Sequence, residues 1–249
     1  MNLLVADLLR SRITAAGAGP LITYYDVAAG ERTELSAITV GNWVAKTANL
    51  LTWDLAVAPG DAVRLPLART HPGHWMTAVW QLAVWQVGAY VDLTSTPAAA
   101  DVLVSGPDWQ PYVGDAADVL ACSLHPFATG LGTGLPASVT DVDLAVRAQP
   151  DSYSPSPVSG SAPAWVDDER RLTQAELAEL DGSDQRRLLV PGEPWATARD
   201  GIVAALIGGG SLVVVRGGDA DEIAHIATGE RVSPPDGGSS ATTPADGHG

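Results

Sequence analysis

The sequence is poor in basic residues, and lysine is almost absent from it. Lys46 is the only lysine among 249 residues, and 29 Asp and Glu against 14 Lys and Arg give a formal charge of −15 at pH 7. Such a charge repels nucleic acid and anionic membrane surfaces, so neither is expected as a partner. It also gives no long-range attraction to phosphate-bearing small molecules, although a local basic pocket could still bind one.

Cysteine is equally scarce. Cys122 is the single cysteine, which excludes an internal disulfide framework and is typical of a reducing compartment. The N-terminus also lacks the pattern of a secretory signal, because Asp7 interrupts the first apolar residues and the arginines follow them instead of preceding them. We therefore expect a cytoplasmic protein.

Long apolar runs are lacking as well. The most apolar stretch, residues 75–91, has 17 residues including two glutamines, which is marginal for crossing a bilayer. Trp75, Trp80 and Trp85 are five residues apart within it, a spacing that turns the three rings to different sides of a helix. This pattern favours a helix buried between layers over an aromatic binding surface.

What the sequence does have is a 46 % apolar content and an alternation of strand and helix patterns. Both are typical of an α/β fold with layered mixed sheets flanked by helices. Strands are predicted at 20–26, 31–36, 61–67, 89–93, 101–106, 118–124, 185–190 and 211–217, and helices at 36–55, 71–88, 170–180, 193–208 and 219–229. In the third of these helices, Thr173 is predicted as the N-cap, with Glu176 completing a capping box.

A Pro/Ser-rich stretch interrupts this alternation and predicts a joint at 151–163. We expect a first α/β subdomain at 1–150 and a second at 164–232. Residues 233–249 cannot bury enough apolar surface to order themselves, so they predict a disordered tail.

Two glycine-rich stretches fail the test for a phosphate-binding loop. Gly130, Gly132 and Gly134 lack the further glycine and the helix start of a dinucleotide loop, so an ordinary loop is the better interpretation. Gly208–Gly210 follow a helix and precede a strand, the reverse of the order that aims amides at a phosphate, and they predict a helix end. Lys46 lies inside a predicted helix without a glycine loop before it, which favours a solvated surface residue.

The candidate catalytic residues give weak signals. Cys122 lies in an apolar strand three positions before His125, and the sequence has no GxSxG, so a core cysteine is favoured over a Cys–His pair. His71 and His74 could meet in a ligand pocket or bind a metal, but no third ligand stands nearby at metal-site spacing, which favours helix-entry residues. Asp167, Asp168 and Glu169 form an acidic run typical of a solvated turn. We therefore assign no catalytic, cofactor-binding or metal-binding residue.

Three blocks of the sequence resemble the N-terminal region of the AMP-forming acyl-CoA synthetase and adenylating-enzyme superfamily. In that family a helix, a GVxPGDxV turn and strand, and an apolar helix ending in xGA follow in order, as they do here within 32–67 and 74–91. The matching residues are Val57, Pro59, Gly60, Asp61, Val63, Gly88 and Ala89. Residues 200–233 are similar to a later family segment that leads to ERVT. The resemblance implies a truncated N-terminal domain of an adenylate-forming enzyme, and the short, alanine-rich chain also looks like an actinobacterial group of AMP-binding-like proteins.

The resemblance also implies a phosphate loop, rich in Thr, Ser and Gly and ending in Pro-Lys, between these blocks. Residues 163–180 stand there with neither the glycine run nor the lysine. The aromatic-Gly-Thr-Glu and TGD segments and the small C-terminal domain with its lysine are likewise absent from the sequence. No catalytic residue of the family can therefore be transferred to a matching position.

We therefore expect a catalytically degenerate domain that does not form acyl-adenylates alone and acts as a small-ligand-binding or protein-interaction module. The alternative is half of a split adenylate-forming ligase completed by another chain, and only this alternative calls for ATP and Mg. No cofactor is otherwise predicted. An acyl or nucleotide small molecule, a protein partner and a second copy of the chain remain open as partners.

Overall fold

Two mixed β-sheets organise the chain, which the computed structural model describes over residues 4–96, 100–132 and 134–233. The strands are β1 (Pro20–Asp26), β2 (Glu31–Ser36), β3 (Ala62–Arg64), β4 (Tyr90–Leu93), β5 (Val102–Ser105), β6 (Asp118–Ala121), β7 (Val139–Asp141), β8 (Pro163–Asp167), β9 (Arg171–Thr173), β10 (Arg186–Leu189) and β11 (Ser211–Arg216). The smaller sheet has the order β10-β11-β1-β2, and the larger has the order β7-β6-β5-β3-β4-β8-β9. All neighbours are parallel except β1–β2 and β8–β9.

Helices pack against both sheets. They are α1 (Val5–Ala16), α2 (Ala37–Asn49), α3 (Leu67–Thr70), α4 (Trp75–Val87), α5 (Val142–Arg147), α6 (Gln174–Ala178), α7 (Pro194–Ala198), α8 (Ala204–Gly208) and α9 (Ala220–Gly229). A π-helical turn, Leu50–Asp54, continues α2, and another, Arg199–Val203, joins α7 to α8. This architecture confirms the predicted α/β class with layered mixed sheets and flanking helices.

The strand pairing does not follow the predicted division of the chain. The smaller sheet joins β1 and β2, from before the joint at 151–163, to β10 and β11, from after it. The larger sheet in turn takes in β8 and β9. The Pro/Ser-rich composition marks a loop, but it carries no information about which sheet the flanking strands enter. Ser233 N donates to the Arg186 carbonyl, and the rest of the predicted tail, 234–249, lies outside the described residues.

Several predicted elements are shorter than expected. The predicted strand 61–67 ends at Arg64, since Pro66 lacks an N–H and α3 begins directly after it. The helix predicted at 170–180 begins only at Gln174, because the residues before it form β9. The predicted capping box of Thr173 and Glu176 is confirmed. The elements α1, β7, α5 and β8 lie where the sequence analysis predicts none.

Helix α4 forms the centre of the core, as predicted for the tryptophan-rich segment. Trp75, Trp80 and Trp85 are each at most 1 % exposed. Trp85 Nε1 donates to the Ala164 carbonyl of β8, 2.8 Å away, so the helix is tied to the larger sheet. At its other end, Gly73 lies so close to β11 that a Cβ there would stand 2.9 Å from Cγ1 of Val214. Among the described residues, no helix is long and apolar enough to cross a membrane.

The Pro-Gly-Asp turn and the glycine at the end of α4, which both match the family pattern, are hydrogen-bonded to each other. Gly60 has φ +93° and Gly88 has φ +82°, both in the left-handed region that favours glycine. Gly60 N donates to the Gly88 carbonyl at 2.9 Å, and the Asp61 carboxylate accepts from Ala58 N at 2.8 Å. The turn thus fixes where α4 ends and where β4 begins, since Tyr90 N donates to the Asp61 carbonyl.

Candidate functional site

Residues 163–180, where the family resemblance calls for a phosphate loop, fold as a β-hairpin followed by α6. Strands β8 and β9 are joined by a tight turn, in which Asp167 N donates to the Arg170 carbonyl at 2.9 Å. The turn lies at the carboxyl end of β8, next to the end of β4, where Asp168 accepts from Ser95 N and Oγ. This is the edge at which open α/β sheets bind ligands.

The carboxylate of Asp167 accepts hydrogen bonds from donors within this turn. It accepts from Glu169 N and Arg170 N at 2.8 Å, from Trp165 Nε1 at 2.8 Å and from Arg170 Nη1 at 2.9 Å. Burial opposes ionisation of Asp167, but these hydrogen bonds outweigh it and hold the pKa of the carboxyl below its usual range. The turn therefore contains its own anion, and the acidic run predicted as a solvated turn is partly structural.

Aromatic packing holds the β8–β9 hairpin against α7. The Trp165 ring packs at a tilt of 56° against Trp195 of α7, with ring centroids 5.2 Å apart. Arg170 also approaches Glu193, the N-cap of α7, at 3.7 Å. The hairpin is thus held against the segment that leads into the smaller sheet.

The glycine-rich loop at 130–134 also bonds to an internal carboxylate. Leu131 N donates to Asp141 Oδ2 at 2.8 Å, and a Cβ on Gly130 would lie 2.8 Å from the same oxygen. The residues form a loop without regular secondary structure where they are described, as predicted. Gly209, with φ +81°, caps α8, which confirms the predicted helix end.

His71 and His74 come together at the start of α4. His74 is the N-cap, as its Nδ1 accepts from Met76 N at 3.1 Å, and its ring centroid lies 4.7 Å from that of Tyr24. Burial, and then the nearby His71, lower the pKa of His74 to about 3, against a weak opposing contact with the Leu124 backbone. With Nδ1 accepting, the neutral ring carries its proton on Nε2. The predicted role of helix-entry residues is confirmed.

An ion pair that sequence reasoning missed lies beside the two histidines. Arg216 Nη1 stands 2.5 Å from Asp26 Oδ2, at the ends of the adjacent parallel strands β11 and β1. Burial and then Arg216 lower the pKa of His71, while burial and then Asp26 raise the pKa of Tyr24. A usable signal existed, because Asp26 is the last residue of one predicted strand and Arg216 the second-to-last of another, although nothing in the sequence paired those strands.

The remaining candidates have structural surroundings. Lys46 is half-buried and donates to the Gln149 carbonyl, so the prediction of a solvated residue was wrong, because residues 149–152 fold back over α2. Cys122 is fully buried, which raises the pKa of its thiol and confirms a core cysteine. His125 is exposed, and its Nδ1 accepts from Phe127 N. Among the described residues, no three His, Cys, Asp or Glu side chains form a metal-binding group.

A small cavity lies between α4, the smaller sheet and α7. Its volume is about 20 Å³, which is room for about one water molecule. Its walls are mainly apolar, with Ile22, Val214 and Ile202 among them, and its polar lining residues are His74, Gln81 and Thr197.

The comparisons with solved structures define the class of the fold. The chain is similar to an acyl-CoA synthetase from Brucella canis, with a TM-score of 0.74, 16 % identity and coverage of 94 % of this chain and 47 % of that one. It is also similar to the inhibitor-bound N-terminal domain of FACL13 from Mycobacterium tuberculosis, with a TM-score of 0.67, 15 % identity and coverage of 93 % and 62 %. The chain therefore shares the fold of these acyl-CoA synthetase structures, and it spans 47 %, 48 % and 62 % of the length of three solved structures that it matches.

The sequence comparison narrows this class to a family. A TIGR03089 family protein from Mycobacterium tuberculosis is 36 % identical over 235 residues, which cover 91 % of this chain and 95 % of the relative. The chain therefore belongs to the TIGR03089 family. The sequence matches no protein-family model.

Proposed function

We propose that this chain does not form acyl-adenylates by itself and instead serves as a small-ligand-binding module on an adenylate-forming scaffold. The observation that carries the proposal is the Asp167 carboxylate, which accepts four hydrogen bonds in the turn that replaces a phosphate loop. A phosphate loop needs backbone N–H groups that point at the ligand. In this turn the N–H groups of Glu169 and Arg170 already bond to a carboxylate.

The charges of the turn support the same conclusion. Asp167, Asp168 and Glu169 stand together, and the guanidinium of Arg170 is paired with Asp167 at 2.9 Å and with Glu169 at 2.8 Å. A triphosphate brought to this turn would face three carboxylates and one cation that is already engaged. Like charges at close range disfavour binding, even after screening by salt.

ATP–pyrophosphate exchange tests the proposal. The purified chain is incubated with Mg-ATP, labelled pyrophosphate and a broad panel of aliphatic and aromatic carboxylic acids. We expect exchange no faster than in a control without acid, whereas acid-dependent exchange with any member of the panel would overturn the proposal. A full-length acyl-CoA synthetase serves as the positive control for each acid.

A second function is supported by the coverage of the solved structures, of which this chain spans about half. On that basis the chain is one half of a split adenylate-forming ligase, completed by another chain that supplies the phosphate-binding residues. ATP and Mg belong only to this alternative. Affinity purification from the native host, followed by the same exchange assay on the complex, tests it: adenylate formation by the complex supports the split ligase, and its absence supports the binding module.

A further inference from the structure

The side-chain amide of Gln81 is a buried donor without a partner. Gln81 is 1 % exposed, and its Nε2 makes no hydrogen bond. Leaving a buried amide donor unsatisfied is unfavourable, so such groups usually bond to a water or a ligand. Trp75 and Trp80 also have unpaired Nε1 atoms but do not line the cavity, whereas Gln81 and His74, whose Nε2 is likewise buried and unpaired, both do.

Thr197 supplies a further donor to the lining of the same cavity. Thr197 Oγ1 accepts from Gly192 N at 3.0 Å, which leaves its hydroxyl hydrogen to be donated to another partner. Thr197 is 4 % exposed and, like Gln81, belongs to the lining. The lining of the cavity thus includes polar residues from both α4 and α7.

The rest of the lining indicates what kind of molecule these donors would hold. Ile22, Ala78, Ile202 and Val214 supply apolar walls, and the described lining residues include no Asp, Glu, Lys or Arg. A charged group would have no counter-ion here, so an ionised carboxylate or phosphate is disfavoured. A small molecule with a neutral oxygen can accept hydrogen bonds from the donors of the lining, and its apolar part can contact the apolar walls.

We propose that this cavity binds the carbonyl end of a small neutral molecule, with Gln81 Nε2 and the Thr197 hydroxyl donating to the oxygen. The cavity volume of about 20 Å³ admits a group about the size of one water molecule, which a carbonyl group is. The inference rests on the ligand-binding part of the proposed function and names its site and ligand class.

NMR titration with cyclopentanone tests the proposal, with cyclopentane as a probe of similar shape that lacks the acceptor. The Gln81 side-chain NH₂ signal is assigned by its loss in Gln81→Leu. We expect a saturable shift of this signal with cyclopentanone and at least about tenfold weaker binding of cyclopentane. The absence of a saturable shift would mean that the cavity holds only an internal water, and it would overturn the inference. Equal affinity for cyclopentanone and cyclopentane would overturn it as well.

Matched variants separate the site from a general effect on the fold. Gln81→Leu is expected to weaken cyclopentanone binding about tenfold, measured by ligand-observed NMR, while its thermal midpoint stays equal or rises because an unsatisfied donor is removed. Gln86→Leu changes a glutamine of the same helix that does not line the cavity, and should leave binding unchanged. Unchanged binding in Gln81→Leu contradicts the proposal. The ATP–pyrophosphate exchange assay is independent of these binding measurements. Adenylation by the chain would overturn the proposed function, whereas only the NMR results decide the proposal for the cavity.

Discussion

Nε1 of Trp165 donates to the carboxylate of Asp167, two residues further along β8, at 2.8 Å. Because Trp165 is completely buried and Asp167 also caps the turn, this bond links the core to the β8–β9 hairpin. The same carboxylate therefore stabilises the fold and fills the turn with negative charge. An adenylate-forming scaffold without its nucleotide chemistry is the consequence that we propose.

Asp167→Asn should destabilise the chain. Each oxygen of the carboxylate accepts two of the four hydrogen bonds, so replacing either oxygen with NH₂ removes two of them, at a cost of at least about 2 kcal/mol in the free energy of unfolding. Urea denaturation at pH 7 measures the loss. Asp168→Asn, in the same turn, changes a carboxylate that accepts from the exposed Ser95 and should cost less than half as much; equal costs would contradict the role given to Asp167.

The Glu230 carboxylate should make stability depend on pH in the acid range. Burial opposes its ionisation, but hydrogen bonds from Tyr25, Arg186 and Arg32 outweigh it and lower its pKa to about 2. The folded state thus binds this proton less readily than the unfolded state, whose pKa is near 4.5. The stabilisation is complete above pH 4.5 and is lost as the pH falls toward 2.

Glu230→Gln tests this pH dependence. We expect the variant to be less stable than the parent by about 2 kcal/mol at pH 7, with the difference vanishing near pH 2. Glu34 is an exposed carboxylate paired with the same Arg32. Glu34→Gln should therefore change the free energy of unfolding by less than about 1 kcal/mol, as is usual for a surface ion pair. A constant difference from pH 7 to pH 2 would show that packing, not charge, holds Glu230.

His74 should act in a separate pH window. The pKa of His74 is about 3 in the folded state and near 6.5 in the unfolded state. Between these values only the unfolded state binds a proton at His74, so the stability decreases as the pH is lowered. His74→Asn keeps an acceptor for Met76 N. Between pH 7 and pH 5 the parent should lose about 2 kcal/mol more than the variant in urea unfolding, and parallel losses would contradict a buried neutral imidazole.

Gly73→Ala should disturb the contact between α4 and the smaller sheet. A Cβ would stand 2.3 Å from Cγ of Pro191 and 2.9 Å from Cγ1 of Val214, which requires a shift costing about 1–3 kcal/mol. Gly192→Ala is the matched control, since a Cβ there meets nothing within 4 Å. Thermal unfolding compares the two, and equal midpoints would show that this approach is not tight.

Local patterns predicted most of the fold. The three tryptophans at five-residue spacing indicated a helix buried on all sides, because no single face of α4 carries them. The turn at Pro59–Asp61 and the Gly88 helix end were recognisable because each needs a specific residue, and Gly60 and Gly88 do adopt positive φ. Such signals depend on neighbouring residues, which is why sequence alone carries them.

Long-range pairings were not predictable in the same way. The joining of β1 to β11 brings Asp26 to Arg216 across 190 positions, and no local pattern specifies that register. The hairpin of β8 and β9 was also missed, because Thr173 and Glu176 signal a helix so strongly that the preceding Arg171 was included in it. The cavity at Gln81 depends on three elements at once and has no sequence signature.

Nucleotide binding tests the central claim most directly. In a calorimetric titration, Mg-ATP is added to the purified chain at pH 7 and low salt, with a full-length acyl-CoA synthetase as the positive control. If the Asp167 carboxylate occupies the place of a phosphate loop, the titration of this chain shows no saturable heat up to millimolar ATP. Saturable binding of Mg-ATP that is weakened by substitutions in the turn at 167–170 would contradict the account.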